Sequence, residues 1–355
     1  MKIALLFSSK VGMAVAISVR PEEKGLEDDE PPPPDFFAEC DSDETIQAVA
    51  AALRTRHEVV LIESDAEAYL KLRSERPDLV FNMSERLFGP NRESHLPAVC
   101  EILDLPCTGS DPLTLSLCLD KSRAKEVLSY HRIATPPFWT VDPGDPLPED
   151  VSLPAIVKPL YEGSSKGVKD TSVVDTRAEL AARVEDVFAV YREPAIIEAF
   201  LPGREFTVGV LGNHPRYEIL PIVEIDHTLL PKGARPIYSY EAKWIWDRPE
   251  NPLPIFICPA RITTDLKGKV EALVAAACRI LRVRDWGRVD VRLDAAGEPN
   301  ILEVNPLPGI LPRPEDNSCL PKAARTAGYS YEALILRVAD EAWARTNGHR
   351  RGGRA

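Results

Sequence analysis

The chain has 355 residues, of which 44% are hydrophobic and 28% charged, a globular composition whose length calls for two or three domains rather than one core. Its formal net charge of −12 argues against nucleic acid as a partner. No apolar run approaches the roughly 20 residues that cross a bilayer, and "IALLF" after Lys2 falls short of a signal-peptide core of about 7–15 residues, so a cytoplasmic protein without a membrane partner is expected. Cys40, Cys100, Cys107, Cys118, Cys258, Cys278 and Cys319 show no CxxC spacing, which favours reduced, buried thiols over disulfides or zinc.

In chain order, "KIALLF" (2–7), "EVVLIES" (58–64) and "DLVFNMSE" (78–85) read as short buried strands. "DETIQAVAAALRTR" (43–56) and "HLPAVCEILDL" (95–105) read as helices. Strands alternating with helices imply a parallel sheet, and the absence of GxGxxG after the first strand speaks against a dinucleotide fold. Residues 21–35, "PEEKGLEDDEPPPPD", fit neither helix nor inner strand. They are expected to form an inserted loop, either without a role or as a mobile lid at the ligand-binding edge of the sheet. One amphipathic helix is expected over 114–133, a proline-rich connector over 135–150, and strands over 154–159, 194–201, 205–212 and 218–225. A helix over 264–282, strands over 287–294 and 300–305, and a final helix over about 330–345 complete the series, with the basic stretch "RTNGHRRGGRA" as a frayed tail.

Three stretches carry chemistry. In "WGRVDVRLD", Arg288 and Asp290 are two apart and share a strand face; in "ILEVN", so do Glu303 and Asn305. "DAAGEP" (294–299) between them is a hairpin signal. The hairpin would bring Asp290, Glu303 and Asn305 together as hard oxygen ligands suited to Mg²⁺ held jointly with substrate phosphates. In "IVKPLYEGSSKGV" (156–168), a strand ends in Lys158 and a loop follows with Gly163, Ser164, Ser165 and Gly167. Small residues let backbone N–H groups approach an anion, although the Walker spacing is absent and a plain turn reads the same way. In "IIEAFLPGREF" (196–206), apolar Ala199, Phe200 and Leu201 lie between Glu198 and Glu205; a nucleoside site wants that mixture, and a strand ending in a salt bridge resembles it. Lys121 and Lys243 are further candidate phosphate contacts, or solvated surface cations.

Taken in series, "CTGS", "LDK", "IVKP..EGSS.GV", "IIE..L.G.EFTV", "YEAK", "CPA", "WGRVDV" and "LEVN..PG" resemble the D-alanine–D-alanine ligase family of the ATP-grasp superfamily, from about residue 40 to 345. The resemblance implies an α/β and α+β protein: an N-terminal parallel-sheet domain (1–114), a central ATP-grasp subdomain (115–202), a C-terminal ATP-grasp domain (203–346), and a disordered tail (347–355). It implies ATP held between two antiparallel sheets. Lys121, Lys158 and the loop around Glu162, Gly163, Ser164 and Ser165 would contact its phosphates. Glu198 and the stretch Ala199, Phe200, Leu201 would meet adenine, Leu302 would line the nucleotide site, Glu205 would bind ribose and Lys243 would reach the γ-phosphate. Two Mg²⁺ ions, with Mn²⁺ as the alternative, would sit on Asp290, Glu303 and Asn305. Arg288 and the Gly309 N–H would stabilise an oxyanion, with Ser165 also in the catalytic set and Ser318 near the substrate carboxylate. Amino acids would be the small-molecule substrates, and a homodimer through the N-terminal domain is the usual family assembly.

Departures gather at the amino-acid end. The family glutamate after the first strand is missing from "SSKVGMAVAISV", with Glu44 as the candidate substitute. "NMSERLFGPNRES" replaces an "HG..GEDG" loop, Trp244 stands where tyrosine is common, and the loop after Asn305 is longer. The expected reaction is ATP-dependent carboxylate–amine ligation through an acyl phosphate, on D-alanine or on another amino-acid pair. A nucleotide-binding regulator without catalysis, or a phosphotransferase, are the competing readings.

Overall fold

The computed structural model describes residues 1–18, 35–247 and 250–352. Of the insertion expected over 21–35, only Asp35 is among them, and the expected lid lies outside the described residues. Strand β1 (Lys2–Phe7) is the centre of a parallel sheet between β2 (Glu58–Glu63) and β3 (Leu79–Asn82). Ile3 and Leu5 enter one core while Ala4 and Leu6 enter another, so both faces need helical cover. After α1 (Lys10–Ser18), α2 (Asp43–Arg54) supplies Ile46, Val49 and Leu53 to the first face. On the other face α3 (Ala68–Glu75) and α4 (His95–Ile102) bury Leu72, Leu96 and Cys100.

The single helix expected over 114–133 is two, α5 (Pro112–Leu119) and α6 (Lys121–Tyr130). Asp120 breaks it, because its carboxylate accepts the Ser122 and Arg123 N–H groups at 3.0 and 3.1 Å and so starts a new helix. That break makes Lys121 the first residue of α6.

The second sheet runs β4 (Phe138–Val141), β7 (Ala195–Ala199), β5 (Ala155–Pro159), β6 (Val173–Val174), all antiparallel. Strand β4 lies inside the expected connector. Helix α7 (Arg177–Tyr191) covers this sheet with Leu180, Val184 and Val187. Its start is a reciprocal cap, with Thr176 Oγ1 accepting the Glu179 N–H at 3.2 Å and Glu179 Oε2 accepting the Thr176 N–H at 3.2 Å.

The third sheet is antiparallel, ordered β11 (Phe256–Ile257), β10 (Val223–Ile225), β8 (Glu205–Asn213), β12 (Trp286–Leu293), β13 (Pro299–Asn305), with β9 (Arg216–Ile219) also on β8. The one strand expected over 218–225 is therefore two. Helix α8 (Thr264–Ile280) buries Val270, Val274 and Ala277 against one face. On the other, α9 (Cys319–Thr326) and α10 (Tyr331–Gly352) join a core that continues into the first sheet. Helix α10 continues through Gly352, past the frayed tail expected from 347; residues 353–355 lie outside the described ones. The described cysteines are all unpaired. Among the described residues no helix is long and apolar enough to cross a membrane.

The hairpin from β12 to β13 turns at Gly297, whose φ of 82° is a left-handed conformation natural to glycine. Asp294 Oδ1 accepts the Ala296 and Glu298 N–H groups, both at 2.9 Å, and so closes the turn. Asp290 then faces Glu303 and Arg288 faces Asn305. Strict alternation fails at one point: Val291 pairs with Ile301, which leaves Leu302 as an extra residue in β13. This β-bulge lets Ile301 and Val304 both enter the core while Leu302 stays half-buried beside Glu303.

Candidate active site

The three expected metal ligands converge. Asn305 Nδ2 donates to Asp290 Oδ2 at 3.1 Å and to Glu303 Oε1 at 3.2 Å. Arg288 Nη2 lies 2.9 Å from Asp290 Oδ2 and 3.6 Å from Glu303 Oε1. Burial pushes the Asp290 carboxyl up, the Arg288 guanidinium opposes this, and the neighbouring Glu303 charge adds to the rise. Burial would raise Glu303 as well, but Lys121, Arg288 and Lys158 outweigh it and hold its carboxyl down at about 2. Two carboxylates that repel each other beside a carboxamide form a set of hard oxygen donors that fits a divalent cation shared with phosphate. Among the described residues there is no group of three His, Cys, Asp or Glu side chains arranged for a metal.

Opposite this trio stands the loop after β5. Lys121, Gly163, Glu303 and Asn305 line one small cavity with Glu93 and Leu307. Lys121 Nζ is anchored on the Glu162 and Leu160 carbonyls. Ser164 and Ser165 both hold left-handed backbones, at φ 51° and 61°, a strained pair of the kind found at functional loops. Ser165 Oγ donates to Tyr238 O at 3.0 Å, fastening this loop to the segment that leads to Lys243.

Lys158 Nζ and Lys125 Nζ lie 2.8 and 3.2 Å from the two carboxylate oxygens of buried Glu198. Lys125, which the motif reading did not single out, is thereby part of the site; burial first, and Lys158 after it, lower its pKa to about 8 despite Glu198. Burial would raise the Glu198 carboxyl, but Lys125 and Lys158 outweigh it and hold it low. Ala199 N–H donates to Pro137 O and Phe200 N–H to Pro154 O, while Leu201 N–H makes no such backbone bond among the described residues. Glu205 Oε2 takes both His227 Nε2 at 3.0 Å and Arg292 Nη1 at 2.9 Å.

Lys243 sits in a π-helical turn, Glu241–Trp246. Burial, and next the Arg288 charge, lower its pKa to about 8. The side chain of Trp244 is outside the described ones. Gly309 is exposed, and its carbonyl accepts from Ser318 Oγ at 3.2 Å. Glu44 is not brought to this cluster; it lies on the surface, paired with Arg313.

The structure brings Glu39 in instead. Its Oε1 accepts the Gly163 N–H at 2.9 Å, and its carboxylate pairs with Arg92 Nη2 at 2.8 Å and Lys166 Nζ at 3.6 Å. Burial raises Glu39, but Arg92 and Lys166 outweigh it and hold the carboxyl low. Asp35 Oδ2 likewise accepts the Gly167 N–H at 2.9 Å and the Tyr191 hydroxyl at 2.7 Å. Glu85 is half-buried, and burial, then Glu39, Glu93 and Asp41, raise its pKa well above the carboxylate range. These acids follow the long insertion or sit in an irregular loop, and no periodicity marks them in the sequence.

Residues 140–340 match the family model for the D-ala D-ala ligase C-terminus. The chain is also 34% identical over 268 residues to a D-alanine–D-alanine ligase of Bordetella petrii, covering 75% of this chain and 76% of that one. The chain belongs to the D-alanine–D-alanine ligase family. Within that family it is 34% identical over 296 residues to the D-alanine–D-alanine ligase of Aquifex aeolicus, covering 82% of this chain and 92% of the relative. An uncharacterised protein of Sinorhizobium fredii is 34% identical over 309 residues, covering 85% and 88% of the two chains. The fold is that of the solved Bacillus anthracis D-alanine–D-alanine ligase complexed with ATP, with a TM-score of 0.69 at 21% identity over 98% of this chain and 99% of that one. As a family member the protein is a D-alanine–D-alanine ligase-like enzyme of the ATP-dependent, C–N bond-forming type.

Proposed function

We propose that the enzyme uses ATP to activate the carboxylate of one amino acid as an acyl phosphate and joins it to the amine of a second, with ADP and phosphate released. The observation that carries this reading is the convergence of Asp290, Glu303 and Asn305 across β12 and β13, with Glu303 and Asn305 lining one cavity with Lys121 and Gly163. Asp290, Glu303 and the Asn305 amide would hold Mg²⁺, with Mn²⁺ as the alternative, which when bound neutralises charge on the transferring phosphoryl group. Lys158 and Lys121 then position the phosphates, and Lys243 meets the γ-phosphate. Glu198, held by Lys125 and Lys158, would accept from an exocyclic amine, with Leu201 N–H as a donor beside it. Half-buried Leu302 would cover the base. Arg288 and the Gly309 N–H would stabilise the tetrahedral oxyanion, an interaction whose loss costs about 3 kcal/mol in barrier.

At the amino-acid end, the missing family glutamate is replaced in this reading by Glu85 and Glu39. The raised pKa of Glu85 marks a carboxylate in want of a cation, which a substrate ammonium group would supply. Trp244 and Ser318 would border the same space. D-Alanine is the first substrate to try in both positions, because the named relatives are D-alanine–D-alanine ligases. ADP release measured with ATP, Mg²⁺ and a panel of D- and L-amino acids tests the reading. Release with D-alanine alone supports the D-alanine form, and release only with another amino acid moves the protein to a different dipeptide. No release with any of them removes the catalytic reading.

A further inference from the structure

Arg292 lies on β12 directly opposite Glu205 on β8, and its side chain is only 4% exposed. A guanidinium in such a place is costly unless its donors are used, and here they are spread over three different elements. Nη1 donates to Glu205 Oε2 at 2.9 Å, Nη2 donates to Pro236 O at 2.8 Å, and Cζ stands 4.7 Å from the centre of the Phe200 ring. Nε is buried and makes no hydrogen bond, so the group is not arranged for its own best satisfaction. His227 Nε2 lies 3.0 Å from the same Glu205 Oε2. Two donors on one oxygen fix the carboxylate plane. Oε1 accepts no hydrogen bond among the described residues, and the Glu205 side chain is 13% exposed.

We infer that Arg292 is a positioning residue that sets the sugar specificity of the nucleotide site, by holding Glu205 so that Oε1 alone is offered to the ribose hydroxyls. This rests on the reading of Glu205 as the ribose contact. The same guanidinium stacks on Phe200, in the connection from β7 to β8 where the base is expected. Through Pro236 it also grips the segment that runs on to Lys243. One side chain thereby ties the sugar contact to the base contact and to the phosphate lysine.

The test is direct binding of ATP and of 2′-deoxy-ATP, each with Mg²⁺, to the wild type, R292M and R292K, followed by titration calorimetry with circular dichroism as the check on folding. The wild type should prefer ATP by about tenfold or more, as expected for a hydroxyl hydrogen-bonded to a charged group. R292M should weaken ATP binding by about that factor while binding of 2′-deoxy-ATP stays within about twofold, so that the preference disappears. R292K should restore part of it, because one ammonium group reaches Glu205 but not Pro236 O as well. A merely structural role would weaken both nucleotides together and leave the ratio intact, which overturns the inference. So does a wild type that binds both nucleotides equally. A wild type that binds neither removes the nucleotide-site reading itself, and a folded R292M with unchanged preference removes the role of Arg292 alone. Should R292M fail to fold, the R292K ratio decides.

Discussion

The two ends of the cleft are built by different means. The proposed metal and ribose end stands on regular strands, with Asp290, Glu303, Asn305, Glu205 and Arg292 all fixed by the pairing of β8, β12 and β13. The proposed amino-acid end is assembled from loops: Glu39 after the insertion, and Glu85 and Arg92 after β3. Strand register can place side chains from far apart in the chain with little freedom, whereas loops tolerate insertions and replacements. In this chain the proposed metal and ribose residues therefore sit on the sheet, while the departures from the family pattern sit on the loops.

The sharpest way to break that contrast is at Glu303. Glu303→Ala should reduce ADP formation by about 10³-fold with the thermal transition nearly unmoved, since it removes a proposed ligand and no core group. Full activity in that variant would contradict the assignment. At the loop end, Glu85→Gln should raise the KM of the first amino acid by about 10- to 100-fold and leave the KM of ATP within about twofold. If the two KM values moved together, the ends would not be separable. Lys243 joins them. With its pKa lowered to about 8, it loses its charge as pH rises through that value, so turnover should fall several-fold on the alkaline side. Lys243→Arg should push this limb to higher pH in a steady-state pH profile; an unchanged limb would assign it elsewhere.

The smallest effect concerns stability alone. Burial, and then the Glu162 charge, raise Glu193 to about 8. The folded protein thus keeps a proton there that the unfolded chain gives up in the ordinary carboxylate range, and stability drains away as pH climbs through that window. Glu193→Gln should melt roughly 3 °C above the wild type at pH 9 and show no such gain at pH 5. Equal differences at both pH values would refute the titration.

The sheet end was largely legible. The turn residues of "DAAGEP" and the spacing of Arg288, Asp290, Glu303 and Asn305 are local signals for a hairpin, and the pairing follows from them. Glu205 and Arg292 face each other because β8 lies beside β12, a neighbourhood that no local pattern encodes. Helix α7 carries a readable cap at Thr176 and Glu179, a local signal for a helix that the chemistry-bearing motifs do not touch. The Asp120 cap, too, was there to split α5 from α6. Glu39 was hidden for another reason: a long insertion separates it from β1, and its importance comes from the Gly163 N–H and Arg92, both distant in sequence. The π-helical turn at Lys243 follows no periodicity on which a reading could rest.

The extra residue at Leu302 has a mechanical consequence. Strand β13 is the edge of its sheet, where sliding along a neighbour is least opposed. A ladder with one unmatched residue cannot shift by a step without moving the mismatch too. Leu302 thus works like a tooth in a ratchet. Any fluctuation at this border must carry the mismatch with it, which keeps Glu303 and Asn305 in step with Asp290.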